Sequence, residues 1–320
     1  MSHPNPAAQQ SSTASPTRGA LLRVGVPEPG GHLVDVAREA GLPVLFSANA
    51  FMHKTDGEVV RVQRPDRTRF GQLDAALDSA GYVASALYGG YPWTVDQYLD
   101  LVQAFPWRWY SAMDLACEPE IASDDTAVLF RIAETCRLFS VLSRAAHERG
   151  LPSPVPVIQG YQPAQYAWCV EQFPIVRWPD LVGIGSVCRR PLTGPNGVLA
   201  ILDTLDGLLP RNVRFHFYGL KGSALSVIGQ HPRLASVDSM AWDYAARRAH
   251  PTGRSVALRG SFMLDWAARN RRLAAGWHNE LEAGDAFVHY LREGGPMGDA
   301  ADSGEDEDRD EDGADDAPGC

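Results

Sequence analysis

The chain has 320 residues, 45% of them hydrophobic and 21% charged, with eight Trp; this excludes a fibrous or wholly disordered protein and is enough for one large α/β domain. No window reaches the ~18–20 uninterrupted apolar residues of a membrane helix, and no charged segment followed by an apolar run opens the chain, so a cytoplasmic location is expected. The net charge of −10 is local: residues 297–320 hold eleven Asp or Glu against one Arg, while the remainder is neutral, so acidity does not exclude a nucleic-acid partner.

Residues 1–20, rich in Ser, Pro, Gln and Ala, read as a disordered leader. Regular alternation follows. A strand is expected over 43–49, then a turn-rich segment to Leu77. Next come a helix over 94–104, a strand over 107–115 and a helix over 125–149. A strand over 155–159 precedes a helix opened by Pro163, whose missing N–H costs nothing in a first turn. Further strands are expected over 181–187, 214–220 and 234–240, with helices near 197–208 and after 220. A basic, aromatic helix is expected over 265–291, and residues 297–320 read as a disordered acidic tail. Repeated strand–helix units make a parallel sheet, and this many favour a (β/α)8 TIM-type barrel over 21–296, with helices at its C-terminal end.

Five Cys stand at wide spacings without a C-x-x-C pair, and the nine His are scattered. Neither a disulfide framework nor a metal site is expected. In a barrel, reactive residues sit at the C-terminal ends of strands. Those ends supply Asp78 and Ser79, Asp114, Gln159 and Gly160, Gly183 and Gly185, Gly219 and Lys221, and Asp238 and Ser239. Any one Asp or Ser there could cap the following helix. Three carboxylates beside Gln-Gly point instead to chemistry, because two can divide the roles of nucleophile and acid/base in retaining glycosyl transfer. The third carboxylate accepts hydrogen bonds only and suits a ligand edge with two N–H donors; Gln can donate to a carbonyl.

The motifs Asp78-Ser79-Ala80-Gly81-Tyr82, Asp114, Gln159-Gly160, Gly185, Tyr218-Gly219 and Asp238-Ser239, in that order, resemble the tRNA-guanine transglycosylase superfamily. Within it they are most similar to the DNA-acting 7-deazaguanine transglycosylases of phages and bacterial modification clusters. The resemblance spans about 43–250. It implies Asp238 as nucleophile, Asp78 as general acid/base, and Ser79, Asp114, Gln159, Gly160, Gly185, Tyr218 and Gly219 as substrate contacts. Ala80 departs from a Gly in the family's pattern. The Cys-x-Cys-x-x-Cys zinc motif and RNA-binding domain of tRNA-acting members are missing. The implied reaction exchanges guanine in DNA for 7-cyano-7-deazaguanine or a derivative, without a metal or redox cofactor, and helper proteins of a modification system are possible partners. A phage-encoded enzyme would act in the host cytoplasm.

Residues 244–272 carry Arg247, Arg248, Arg254, Arg259, Arg269, Arg271 and Arg272 against one acid, Asp265. Arg61, Arg64, Arg67 and Arg69 form a second cluster. Arginine suits phosphate contacts, so both are candidate DNA-backbone surfaces; the alternative is ion pairing with neighbouring helices. Tyr82 and Tyr218 are the better candidates for stacking on a purine, the Trp residues being the usual anchors of a core. Other readings are a tRNA-acting enzyme, a non-catalytic nucleic-acid-binding paralogue and a small-glycoside hydrolase.

Overall fold

Short apolar runs closed by turn residues become strands, and longer amphipathic stretches with capping residues become helices. A computed structural model describes residues 20–275. The chain opens with β1 (Leu21–Val26), α1 (His32–Glu39) and β2 (Val44–Ser47). A 3-10 turn (Ala48–Phe51) leads into the hairpin of β3 (Met52–Thr55) and β4 (Glu58–Val62), then α2 (Arg67–Phe70) and β5 (Ala75–Asp78). Helices α3 (Gly81–Tyr88), α4 (Val95–Ala104) and α5 (Asp125–Glu148) precede β6 (Val157–Ile158) and α6 (Pro163–Gln172). The remainder is β7 (Leu181–Ile184), α7 (Val198–Leu208), β8 (Arg214–Phe217), α8 (Gly222–Ile228), β9 (Leu234–Ser239), α9 (Ala241–Ala249) and α10 (Val256–Ala275).

Seven strands form one all-parallel sheet in the order β5-β2-β1-β9-β8-β7-β6, curled into a half-barrel with helices packed against it. The first and last of the described strands are therefore neighbours, with Arg23 opposite Asp238. Between the outer strands β5 and β6 runs the segment 108–112. Arg108 and Ser111 donate to the carbonyls of Ala75 and Leu77 at 2.8 and 2.9 Å on one side, and Ala112 donates to that of Val155 at 2.8 Å on the other. Isolated parallel bridges Leu77↔Tyr110 and Ser111↔Val155 mark the same contacts. The strand expected over 107–115 is thus reduced to two bridges. Beyond Ala112 the backbone turns to side chains: the amides of Asp114, Leu115 and Cys117 donate to Tyr91 Oη, Thr135 Oγ1 and Ser186 Oγ.

Thr94 caps α4 in a reciprocal box with Gln97, Asp124 caps α5, and Pro163 opens α6, so these three helices begin where the sequence places them. Several elements lie outside that reading, among them the helices α1, α2, α3 and α9. β1 follows the leader directly and is interrupted by Arg23 and Gly25, which hides its apolar pattern. The β3–β4 hairpin occupies the stretch expected to be turns. Helix α10 starts at Val256 and not near 265, because Ser255 Oγ accepts the Leu258 amide at 3.1 Å and supplies the start signal. The leader before Ala20, the end of the helix expected over 265–291, Trp277 and the acidic tail lie outside the described residues. Among the described residues no helix is long and apolar enough to cross a membrane.

Helix α10 packs against α1, α8 and α9. Close approach requires glycine on α8: a Cβ at Gly222 would meet Asn270 Oδ1 at 2.3 Å, and one at Gly229 would meet the Ala274 Cα at 3.1 Å. Helix α9 is pinned to β1 through Trp242, fully buried, whose Nε1 donates to the Gly25 carbonyl at 3.1 Å. Trp242→Ala is expected to lower stability by about 3–5 kcal/mol through the cavity it leaves. Denaturant unfolding of the two proteins measures this, and a loss under 1 kcal/mol would show that the α9–β1 contact is not the anchor described.

Candidate active site

One cavity of about 250 Å³ opens at the C-terminal ends of the parallel strands. Gly25 and Val26 follow from β1, Ser47 from β2, Asp78 from β5, Gln159 from β6, Gly185 from β7, Tyr218 and Gly219 from β8, and Asp238 and Met240 from β9. Asp114, from the segment after 108–112, completes the wall. Three aspartates from distant parts of the chain, with Glu118, thus face one small space. Its size suits a ligand at or below the ~300 Å³ lower end of typical pockets.

Asp114 is the most constrained of the three. Ser79 Oγ donates to its Oδ1 at 2.7 Å, and Gln159 Nε2 donates to its Oδ2. Tyr91 Oη accepts the Asp114 amide at 2.9 Å and lies 2.9 Å from both the Asp114 carbonyl and Ser79 Oγ. The network continues outward: Ser186 Oγ donates to Gln159 Oε1 at 2.6 Å and accepts the Cys117 amide at 2.6 Å. Both Asp114 oxygens are therefore oriented, with lone pairs left for a ligand. Burial pushes the Asp114 carboxyl up to about 6, while the Ser79 and Gln159 hydrogen bonds hold it from rising further.

Asp78 sits at the end of β5. Its Oδ2 accepts the Ala80 amide at 2.9 Å. Desolvation, reinforced by the neighbouring Asp114 charge, pushes its carboxyl up to about 8, so at neutral pH it carries a proton. Ala80 itself adopts φ +67 and ψ +36. That is left-handed backbone, for which glycine is the ordinary residue, so the chain keeps the turn its pattern calls for despite the methyl group.

Asp238 is held differently. Its Oδ1 accepts the Gly219 amide at 3.0 Å, and His216 Nε2 stands 3.3 Å away, off hydrogen-bond alignment. The other ring nitrogen, Nδ1, lies 2.7 Å from Ser236 Oγ. Burial lowers the His216 pKa, leaving a neutral imidazole at neutral pH. Its ring meets Trp109 and Tyr218 edge-on, at 4.8 and 4.5 Å between centroids. Arg23 from β1 lies over Trp109 on the same interior column and pairs with Asp74 at 3.0 Å.

The structure brings Asp78, Asp114, Gln159, Gly185, Tyr218, Gly219 and Asp238 to the cavity wall, with Tyr82 beside them. Ser79 is buried behind it as a support of Asp114. Gly160 stands off the wall: its carbonyl accepts Arg190 Nη2 at 3.2 Å, and a Cβ there would meet the Tyr166 amide nitrogen at 2.8 Å. Gly185 makes room for Gln159, whose Nε2 would lie 2.2 Å from a Cβ. No described Trp lines the cavity. Tyr91, Ser111, Ser186, His216 and Glu118 were not singled out in the sequence. Ser186 directly follows Gly185, and His216 breaks the apolar run Phe215–Phe217, which are the signals the sequence offered.

The arginines divide. Arg259 donates to Asp243 at 2.7 Å, and Arg247 lies 3.8 Å from the same buried carboxylate. Arg248, Arg254, Arg269, Arg271 and Arg272 are exposed, and none of the seven lines the cavity. In the second cluster, Arg67 and Arg69 bond to the carbonyls of Ala104 and Gly30, while Arg61 and Arg64 are exposed. Among the described residues no group of three or more His, Cys, Asp or Glu is placed to hold a metal ion.

A family model described as "DpdA: DeoxyPurine in DNA protein A" matches residues 30–293 of the chain. No curated protein matches it.

Gly185→Ala tests the central hydrogen bonds. The new methyl displaces only the end of a side chain, so the fold is expected to survive while Gln159 leaves Asp114. Losing a donor to its charged form raises a carboxyl pKa. Carboxyl-carbon NMR should therefore find Asp114 titrating above the wild-type value, and an unchanged titration would show that Gln159 does not hold it.

Proposed function

We propose a base-exchange reaction on DNA, from a plain premise: the chain belongs to the DpdA family, which inserts deazaguanine into DNA. The observation that carries the mechanism is the set of three aspartates on one cavity, each oriented by a different partner. A target deoxyguanosine leaves the stack to enter, since duplex geometry shields its anomeric carbon. Asp114 accepts the N1–H and N2–H of guanine, and the second N–H of Gln159 Nε2 donates to O6. Tyr82 and Tyr218 flank the purine.

Asp238 attacks C1′ through the oxygen not bound by the Gly219 amide. The C1′–N9 bond breaks, a deoxyribosyl ester forms, and Asp78, protonated at the outset, gives its proton to the departing guanine. The incoming 7-deazaguanine, 7-cyano-7-deazaguanine or a derivative, then attacks C1′ and expels Asp238, while its N9 proton returns to Asp78. Two inversions retain the β configuration. The uncharged His216 beside Asp238 adds no opposite charge to the nucleophile, which favours attack.

The closed (β/α)8 barrel belongs to the same proposal. The hydrogen bonds of 108–112 to both outer strands support reading that segment as the eighth stave, which brings Asp114 opposite Asp238. The exposed Arg248, Arg254, Arg269, Arg271 and Arg272, with Arg61 and Arg64 of the second cluster, are available to phosphate. The tRNA alternative is set aside by the family's DNA substrate.

Incubating the protein with DNA and labelled guanine is expected to load label into the DNA, and denaturing gels should trap a protein–DNA adduct. Asp238→Ala should abolish both. An adduct that persists in this variant places the nucleophile elsewhere. The pH dependence is a separate check: Asp114 must be ionised and Asp78 protonated, so kcat/KM should rise through about 6 and fall through about 8. A profile flat from 5 to 9 would rule out the assigned roles.

A further inference from the structure

In the reaction above, Asp238 meets the sugar on the face opposite the base, because displacement at C1′ inverts that carbon. A ribose carries its 2′-hydroxyl on that same face, on the atom next to C1′, where deoxyribose has only hydrogen. The wall beside Asp238 therefore faces the one position at which the two sugars differ.

That wall is apolar. Met240, two residues beyond Asp238, lines the cavity together with Gly25, Val26 and Pro27 from the end of β1. The register pairs Val24 with Ser239, so Gly25 and Met240 follow side by side. A Cβ at Gly25 would lie 2.3 Å from Met240 Cγ; glycine is what lets the Met240 side chain lie against the β1 backbone.

Polar groups around this wall are engaged or distant. The Gly25 carbonyl accepts Trp242 Nε1, Ser239 Oγ accepts the Ala241 amide at 3.1 Å, and Pro27 has no N–H to offer. Asp238 Oδ1 is held by the Gly219 amide, and its other oxygen is the attacking atom. Ser47 and Asn49, polar residues of the same cavity, belong to β2 and the turn after it. That strand is two places from β9, about 10 Å at ordinary strand spacing.

We propose that Met240 is a specificity residue that selects the sugar: its side chain, seated on Gly25, covers C2′ on the Asp238 face, accepts the methylene of deoxyribose and leaves a 2′-hydroxyl without a partner. This rests on the base-exchange reading for the direction of attack. Burying a hydroxyl that has lost its water and gained no hydrogen bond is costly. The choice against ribose is then made at one nucleotide, independently of the helical form of the polymer around it.

The test uses the full chain and DNA duplexes with one bulged guanosine, whose sugar is either deoxyribose or ribose, the strands being otherwise identical. Fluorescence anisotropy measures binding, and release of labelled guanine measures exchange. Wild type should bind the deoxyribose duplex roughly 10-fold or more tightly, the scale of one unpartnered buried hydroxyl. Met240→Gln, close in length and able to meet a hydroxyl, should bring that ratio to within about 3-fold of unity, while Met240→Leu should keep it. A 2′-oxygen slows cleavage of the C1′–N9 bond by itself, in every variant alike, so exchange is read as the change in ratio between proteins. That ratio should fall in Met240→Gln by the same factor as in binding. A wild-type binding ratio near unity overturns the proposal whatever the variants do, including variants that fail to fold. So does a folded Met240→Gln that keeps the wild-type ratio, or a folded Met240→Leu that loses it. Absence of guanine release from either duplex, with the binding ratio and its loss in Met240→Gln intact, would sink the base-exchange reading and leave the Met240 contact standing.

Discussion

The Asp114 carboxylate, held from two sides, is the constraint on which the rest of the site depends. Ser79 reaches it from the end of β5, and Gln159 from the end of β6. Tyr91 fixes its backbone from the loop after α3. These contacts join three stretches that the ladder of the sheet does not connect directly. A buried carboxylate with its donors in place is an oriented acceptor; without them it would take up a proton and cease to accept on both oxygens. Burial raises the Asp78 carboxyl, and the same Asp114 charge adds to the effect, since two neighbouring carboxylates resist joint ionisation. In the proposed reaction this couples recognition and proton transfer through one side chain.

Several glycines follow from this arrangement and not from backbone contact with a ligand. Gly185 leaves the space Gln159 crosses, and Gly81 leaves room for Asp114, whose carbonyl would lie 2.4 Å from a Cβ. Gly183 does the same for the Tyr218 ring. The sequence presents these residues as glycine at strand ends, where backbone approach to a substrate is the first physical reading. In the structure they are voids shaped for other side chains.

Much of the site was legible because polar residues directly after apolar runs are conspicuous. Asp78, Asp114, Gln159 and Asp238 each stand at such a point, and strand ends of a parallel sheet converge on one face. Supporting contacts were not legible, since they join positions far apart in sequence with no local pattern. Tyr91 lies in a loop without periodicity, and His216 meets Asp238 only through the β8–β9 pairing, where it stands opposite Ser236. The arginine stripe shows the opposite error. It reads as uniformly basic from 244 onward, but Asp243, one residue earlier and buried, turns Arg259 inward as an ion pair. At the level of the fold, long capped helices were legible, whereas β1 was hidden by the charged Arg23 that its interior column requires.

The pairing of β1 with β9 sets the order in which the molecule can be assembled. The first strand waits, with one edge open, until the last has been synthesised, so the sheet cannot be completed from a partial chain. Contacts of such long sequence separation slow folding and lengthen the interval during which a bare strand edge is exposed to aggregation. Asp238 arrives on that final strand, together with the register that sets it opposite Arg23. A nascent or prematurely terminated chain ending before β9 has neither a finished sheet nor the Asp238 wall of the cavity. Fragments of that kind keep an unpaired edge on β1 and so fall to quality control.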